Sequence, residues 1–128
     1  MDPAGRATDH LPGAVAAAVK DVLHAEETVV HAVPAIGCTV ILTDRRLLIV
    51  RDGASFRPRT GVREWALRAG LNVRAGLVRQ GTGSLVVHWD RDVTSIFVRS
   101  DRWNDALELV DELRARVRNS VEGSGRAP

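Results

Sequence analysis

The spacing of apolar residues changes period twice along this chain, and the two changes constrain the fold more than any single motif. Leu11, Val15, Ala18, Val19, Val22 and Leu23 recur at helical spacing behind Asp9, a capping residue, which predicts an amphipathic helix over 11–26. From Glu27 the spacing falls to two, the period of a strand with one buried face. After Ser100 it becomes helical again. Trp103, Ala106, Leu107, Val110, Leu113 and Val117 form one stripe, with Asp101, Asp105 and Glu108 early and Arg114, Arg116 and Arg118 late, matching the helix dipole at both ends. Residues 1–10 and 119–128 have no periodicity and read as tails that fray. In 128 residues with 45% hydrophobic content, this pattern makes one mainly β domain around one core.

Inside the β block, turn signals separate seven runs. Thr28–Val33 ends at Pro34; Cys38–Thr43 and Arg46–Arg51 join through a tight Asp44-Arg45 hairpin; Val62–Leu67 and Asn72–Arg79 are hinged at Ala69-Gly70. Gly81-Thr82-Gly83 turns the chain into Ser84–Trp89, and Asp90–Asp92 turns it into Thr94–Arg99. Alternation places Leu71, Val73, Ala75 and Leu77 on one face, and likewise Leu85, Val87 and Trp89, as in an antiparallel meander. The runs Val40-Ile41-Leu42 and Leu47-Leu48-Ile49-Val50 are apolar on both faces, so both must be covered, either by the N-terminal helix or by another subunit.

The segment Ile41-Leu42-Thr43-Asp44-Arg45-Arg46-Leu47-Leu48-Ile49-Val50, and the closing Ile96-Phe97-Val98 followed by Trp103 and Ala106–Val110, resemble bacterial PH-like (pleckstrin-homology-fold) domain families. The resemblance spans 27–118. It implies a seven-stranded antiparallel sandwich or barrel capped by the C-terminal helix, here with an additional N-terminal helix. Trp103 would be the largest contact of that cap, worth roughly 3–5 kcal/mol if fully buried. It also implies a recognition module rather than an enzyme, since apolar faces and sheet edges are where such domains meet themselves or other proteins. On this surface Pro34, Ile36, Ile41 and Leu48 are the candidate contacts, for a protein partner or a homo-oligomer. The phosphoinositide motif of eukaryotic PH domains is missing: Glu27 to Thr43 holds no Lys or Arg.

Charge offers a second reading. Lys and Arg number 18 and Asp and Glu 16, but residues 45–79 hold nine arginines against Asp52 and Glu64. With one lysine beside seventeen arginines, the skew is what a GC-rich coding bias produces, so arginine number alone carries no argument for phosphate binding. Meander parity brings Arg51, Arg57, Arg59 and Arg91 to one end, where they would grip an anionic lipid or another phosphorylated ligand; Arg45 and Arg68 fall at the other end. Nucleic acid fits less well, because only Phe56 interleaves the arginine-rich loop.

Catalytic chemistry finds no constellation. His10, His24, His31 and His88 are scattered without metal-ligand spacing, and Cys38 heads an apolar strand with no neighbour to activate it. Gly81-Thr82-Gly83-Ser84 precedes a strand, not the helix a phosphate loop requires. The expectation is a non-catalytic module with no cofactor and no metal. A lone cysteine excludes an internal disulfide, and the apolar stretch from Leu11 to Leu23, broken by Pro12, Lys20 and Asp21, is neither a leader nor a spanning segment; the chain reads as cytoplasmic.

Overall fold

The computed structural model describes residues 19–52, 61–76 and 78–125, with side chains as far as residue 120. The proposed tail over 1–10, the helix residues 11–18, the loop residues Phe56, Arg57 and Arg59, and Leu77 lie outside the described residues. Seven strands and a C-terminal helix follow in order: β1 (Val29–Ala35), β2 (Cys38–Thr43), β3 (Arg46–Arg51), β4 (Val62–Ala66), β5 (Asn72–Ala75), β6 (Thr82–Trp89), β7 (Asp92–Arg99), a 3-10 turn Ser100–Arg102, and α1 (Trp103–Gly125). Among the described residues no helix is long and apolar enough to cross a membrane.

The strands form two separate sheets, ordered β1-β2-β3-β4 and β5-β6-β7, and this corrects the barrel form of the expectation. Between β4 and β5 the chain makes a compact bend, with the Leu71 N–H donating to the Arg68 carbonyl and Gly70 at φ +98, instead of a hairpin that would carry pairing onward. The chain divides into two compact units, 1–64 and 65–128.

In the first unit, β1 and β2 meet through a two-residue turn, Ile36-Gly37, with Gly37 at φ +76 in the left-handed region. Pro34 does not end β1 as predicted; it pairs with Thr39 inside the strand. The pair beside the turn, Ala35 with Cys38, takes the ladder hydrogen bonds, so the proline nitrogen faces the open side of an edge strand and no bond is lost. Both faces of β2 and β3 are buried, as their two-sided apolarity requires. One face is built on the cross-strand pair Ile41 and Leu48, packed with Val29, Ala32 and Val50, and Val19 closes over them with Val22, Leu23 and Val62 partly buried at the margin. Each fully buried Val, Ile or Leu among them contributes about 1.5–3 kcal/mol on leaving water. The residues at 19–23 therefore cover this face within the chain. The helix predicted to reach residue 26 stops at 22, and the chain turns toward β1 through Glu26 at φ 67.

In the second unit the inward faces follow parity: Leu71, Val73, Leu85, Val87, Ile96 and Val98 are buried. Ala75, given the same parity, stays exposed on the edge strand β5. The β5–β6 turn is Gln80-Gly81, both at positive φ (52 and 78), closed by the Arg79–Thr82 bridge, rather than Gly81-Thr82-Gly83. β6 thus begins two residues earlier than predicted, and Gly83 lies within it, paired with Val98. A Cβ at Gly83 would fall 2.4 Å from Cζ3 of Trp103, so the missing side chain is the seat of the indole. Trp103 is half-buried, so its contact falls short of the full-burial case. On α1 the buried stripe is Ala106, Leu109, Val110 and Leu113; the predicted Leu107 faces solvent and Leu109 takes its place. Ser100 and Asp101 do not cap α1 directly but form the 3-10 turn. The helix backbone also runs past Asn119 to Gly125, since extending an existing helix fixes one residue per hydrogen bond and avoids a new nucleus.

Candidate functional site

The turn between β2 and β3 holds the densest polar chemistry in the first unit. Glu27, fully buried, accepts bonds at Oε1 from the His24 N–H (3.0 Å) and the Arg46 Nη2 (2.7 Å), and at Oε2 from the Thr43 hydroxyl and Arg46 Nε, both 2.7 Å. Arg46 also donates to the Val22 carbonyl, where the helical turn ends and a carbonyl would otherwise go unpaired, and to exposed Glu64 on β4. Its neighbours grip the same segment: Asp44 accepts the Thr28 N–H at 2.9 Å and donates its own N–H to the Thr28 carbonyl at 3.0 Å, while Arg45 reaches the Ala25 carbonyl at 3.5 Å. Burial alone would push the Glu27 carboxyl up, but the Arg46 bonds, the His24 N–H, the Thr43 hydroxyl and the Arg46 charge together lower it to about 2. Burial acts against the Arg46 charge in the same way, yet the Glu27 bonds outweigh it and raise the guanidinium above its ordinary value. No buried side-chain nitrogen or oxygen among the described residues lacks a partner. A carboxylate with both oxygens committed, held as an anion, has no capacity left for proton transfer. This is a clasp that ties residues 22–28 to the hairpin.

In the amino acids alone, Asp44, Arg45 and Arg46 read as a turn and a strand start, and Glu27 and Arg46 carry no mark of pairing with each other. One signal was available: Arg46 is a charge at the head of a strand otherwise apolar on both faces, and such a charge needs an acidic partner.

The predicted contacts are distributed as follows. Ile41 and Leu48 are fully buried, Pro34 is half-buried, and Ile36 is 53% exposed at the hairpin tip, so Ile36 alone of the four projects into solvent. Arg51 and Arg91 are exposed, one in each unit, and Arg57 and Arg59 lie outside the described residues. Cys38 is half-buried; burial and the charge of Asp52 push its thiol up, which keeps it protonated at neutral pH. His24, His31 and His88 stand on separate segments, and no group of three metal-ligating side chains occurs among the described residues.

The second unit carries the exposed apolar surface. On β7, Val93 is 60% and Phe97 51% exposed, although Phe97 belongs to the apolar run Ile96-Phe97-Val98; Val93 lies one residue before the predicted strand. Register explains it: Ile96 and Val98 point inward opposite Leu85 and Gly83, so Val93, Ser95 and Phe97 share the outward face with His88, Val86 and Ser84. Gly76 donates its N–H to the Ser84 carbonyl, and Arg79 exchanges bonds with Thr82, so one extra residue is accommodated between these two pairs on the β5 side. That bulge returns Arg79 to the outward face, in line with Thr82 and Arg99; Arg74 stands on the same face opposite Val86. With strands about 4.8 Å apart, Arg79 and Arg99 are roughly 10 Å from one another across Thr82. None of the described residues on this face is a carboxylate. The result is a sheet face with an exposed phenyl ring and three exposed arginines.

No protein-family model matches this chain, no curated protein matches it, and no solved structure matches it.

Proposed function

We propose that the protein is a non-catalytic binding module of PH-like fold that works by protein–protein interaction, with the outer face of β5-β6-β7 as its contact surface. The order of elements supports the fold part of this reading: seven antiparallel strands, with no helix between them among the described residues, then one amphipathic helix. The observation that carries the functional part is the pair Val93 and Phe97, two large apolar side chains more than half exposed on a single edge strand. An isolated apolar side chain on a surface is ordinary, but two on one face of an edge strand, flanking Ser95, form a place for a partner strand to pair and pack. The experiment is selection of a random displayed peptide library on the intact chain and on the Val93→Asp/Phe97→Asp variant. Peptides enriched on the first and lost on the second support the reading; equal enrichment on both overturns it.

A second reading keeps the arginine expectation: Arg51 in the first unit and Arg91 in the second are each exposed and each open to an anion. It makes the chain a peripheral binder of anionic lipid or another phosphorylated ligand, and it expects flotation with anionic vesicles at low ionic strength, where charge attraction is least screened. Absence of flotation under those conditions removes it.

A further inference from the structure

The two edges of the three-stranded sheet differ. On β5, Arg114 from α1 donates to the Val73 carbonyl at 3.0 Å and the helix lies against that strand, so the β5 side is occupied. On β7 the two-residue turn at Asp90-Arg91 makes Trp89 and Asp92 the ladder-bonded pair, which turns the backbone groups of Asp92, Thr94, Ile96 and Val98 toward β6. The Ser100 N–H, donating to Gly81 at 2.8 Å, keeps that alternation. The N–H and C=O groups of Val93, Ser95 and Phe97 therefore face away from β6, on the side where β7 is the edge of its sheet. These are the residues whose side chains stand on the exposed outer face.

We infer that β7 accepts an additional strand, and that the strand is an acidic, extended peptide segment of another protein; the inference rests on the interaction reading above and names its partner class. Backbone pairing requires a peptide, because a row of alternating N–H and C=O groups spaced along 93–97 is matched by another β-strand. Charge decides which peptide. Arg99 stands beside Phe97 at the end of the edge, with Arg79 and Arg74 behind it on the same face and no carboxylate among them. A second copy of this chain does not complement that face: its own β7 brings another Arg99 and no outward carboxylate. A glutamate-bearing strand does, with an acidic side chain beside Arg99, an apolar one beside Phe97, and Arg74 and Arg79 adding long-range attraction.

The test uses the full chain and two octapeptide probes, one alternating Glu with Val and one alternating Lys with Val, each also made with a central proline, and reads binding by fluorescence anisotropy. The acidic probe binds, weakens at least several-fold as salt rises from about 50 to about 300 mM, and is lost when proline interrupts the backbone ladder. Reversal of charge at two exposed positions, Arg79→Glu with Arg99→Glu, moves preference to the lysine probe by at least tenfold, a gain that an unfolded variant does not produce. Equal binding of acidic and basic probes, retention of the proline probe, or no change of preference on charge reversal overturns this inference. A library selection that still depends on Val93 and Phe97 but yields no acidic sequences has the same effect while leaving the interaction reading intact.

Discussion

Arg46 is the residue on which the first unit turns. It is nearly buried, bonds Glu27 through two nitrogens, and closes the carbonyl of Val22. Removing one member of such a pair leaves the other as an uncompensated buried charge, which costs far more than the net value of the pair itself. Arg46→Met should therefore destabilise the protein by about 3–5 kcal/mol, measured by chemical denaturation, whereas the double variant Glu27→Met/Arg46→Met should cost less than either single change. A double variant worse than both singles would show that the clasp contributes through packing and not through charge balance. The residue level was partly readable in advance. Two-sided apolarity of β2 and β3 foretold that both faces are covered, but the identity of the cover at Val19, and of the ion pair, depended on which atoms meet across 19 residues of chain.

At the level of elements, α1 was the clearest pattern, and the structure still reassigned one of its contacts. Leu107 is 37% exposed and Leu109 fully buried, so Leu109→Ala should cost about 2–5 kcal/mol and Leu107→Ala under about 1, compared by urea unfolding. Stripes read from spacing tolerate this error, because positions three and four apart both lie near the seam, and only the rotation of the helix on its sheet chooses between them. Gly83 shows the same limit on β6. Glycine between Thr82 and Ser84 reads as a turn; its actual role is to leave room for Trp103. Gly83→Ala should destabilise by about 1–3 kcal/mol through overpacking, and much of that loss should be recovered on combining it with Trp103→Leu. Simple additivity of the two changes would mean that the indole and the glycine do not share one space. Gly70 is tied to Trp89 in a related way: at φ +98, with the ring 3.3 Å from where a Cβ would be, it sits beside the indole that Arg68 covers at 5.0 Å.

For the whole molecule, the buried carboxylate sets the acid side of the stability profile. Its folded value of about 2 lies below the ordinary 4.5, so the unfolded chain binds the proton more readily, and the contribution is complete above pH 4.5 and lost as pH falls toward 2. The difference corresponds to roughly 3 kcal/mol at neutral pH. Denaturation midpoints measured from pH 7 to pH 2.5 should fall mainly below pH 4.5, and Glu27→Gln, less stable at pH 7, should show a flatter profile across that window. An equally steep acid loss in the Gln variant would assign the effect to other carboxylates.

Strand number, strand order along the chain and the final helix were all legible in the amino acids, because hydrophobic period is a local property that each segment carries whatever its neighbours do. Tertiary structure decided the rest: two separate sheets where a sandwich or a barrel had both been open, an N-terminal segment clasped by Arg46, a tryptophan seated on a glycine, and a phenylalanine turned to solvent. Each of these depends on register and on pairing between distant residues. A shift of one residue exchanges the faces of a strand, and Ile96-Phe97-Val98 has the same composition whichever face Phe97 takes.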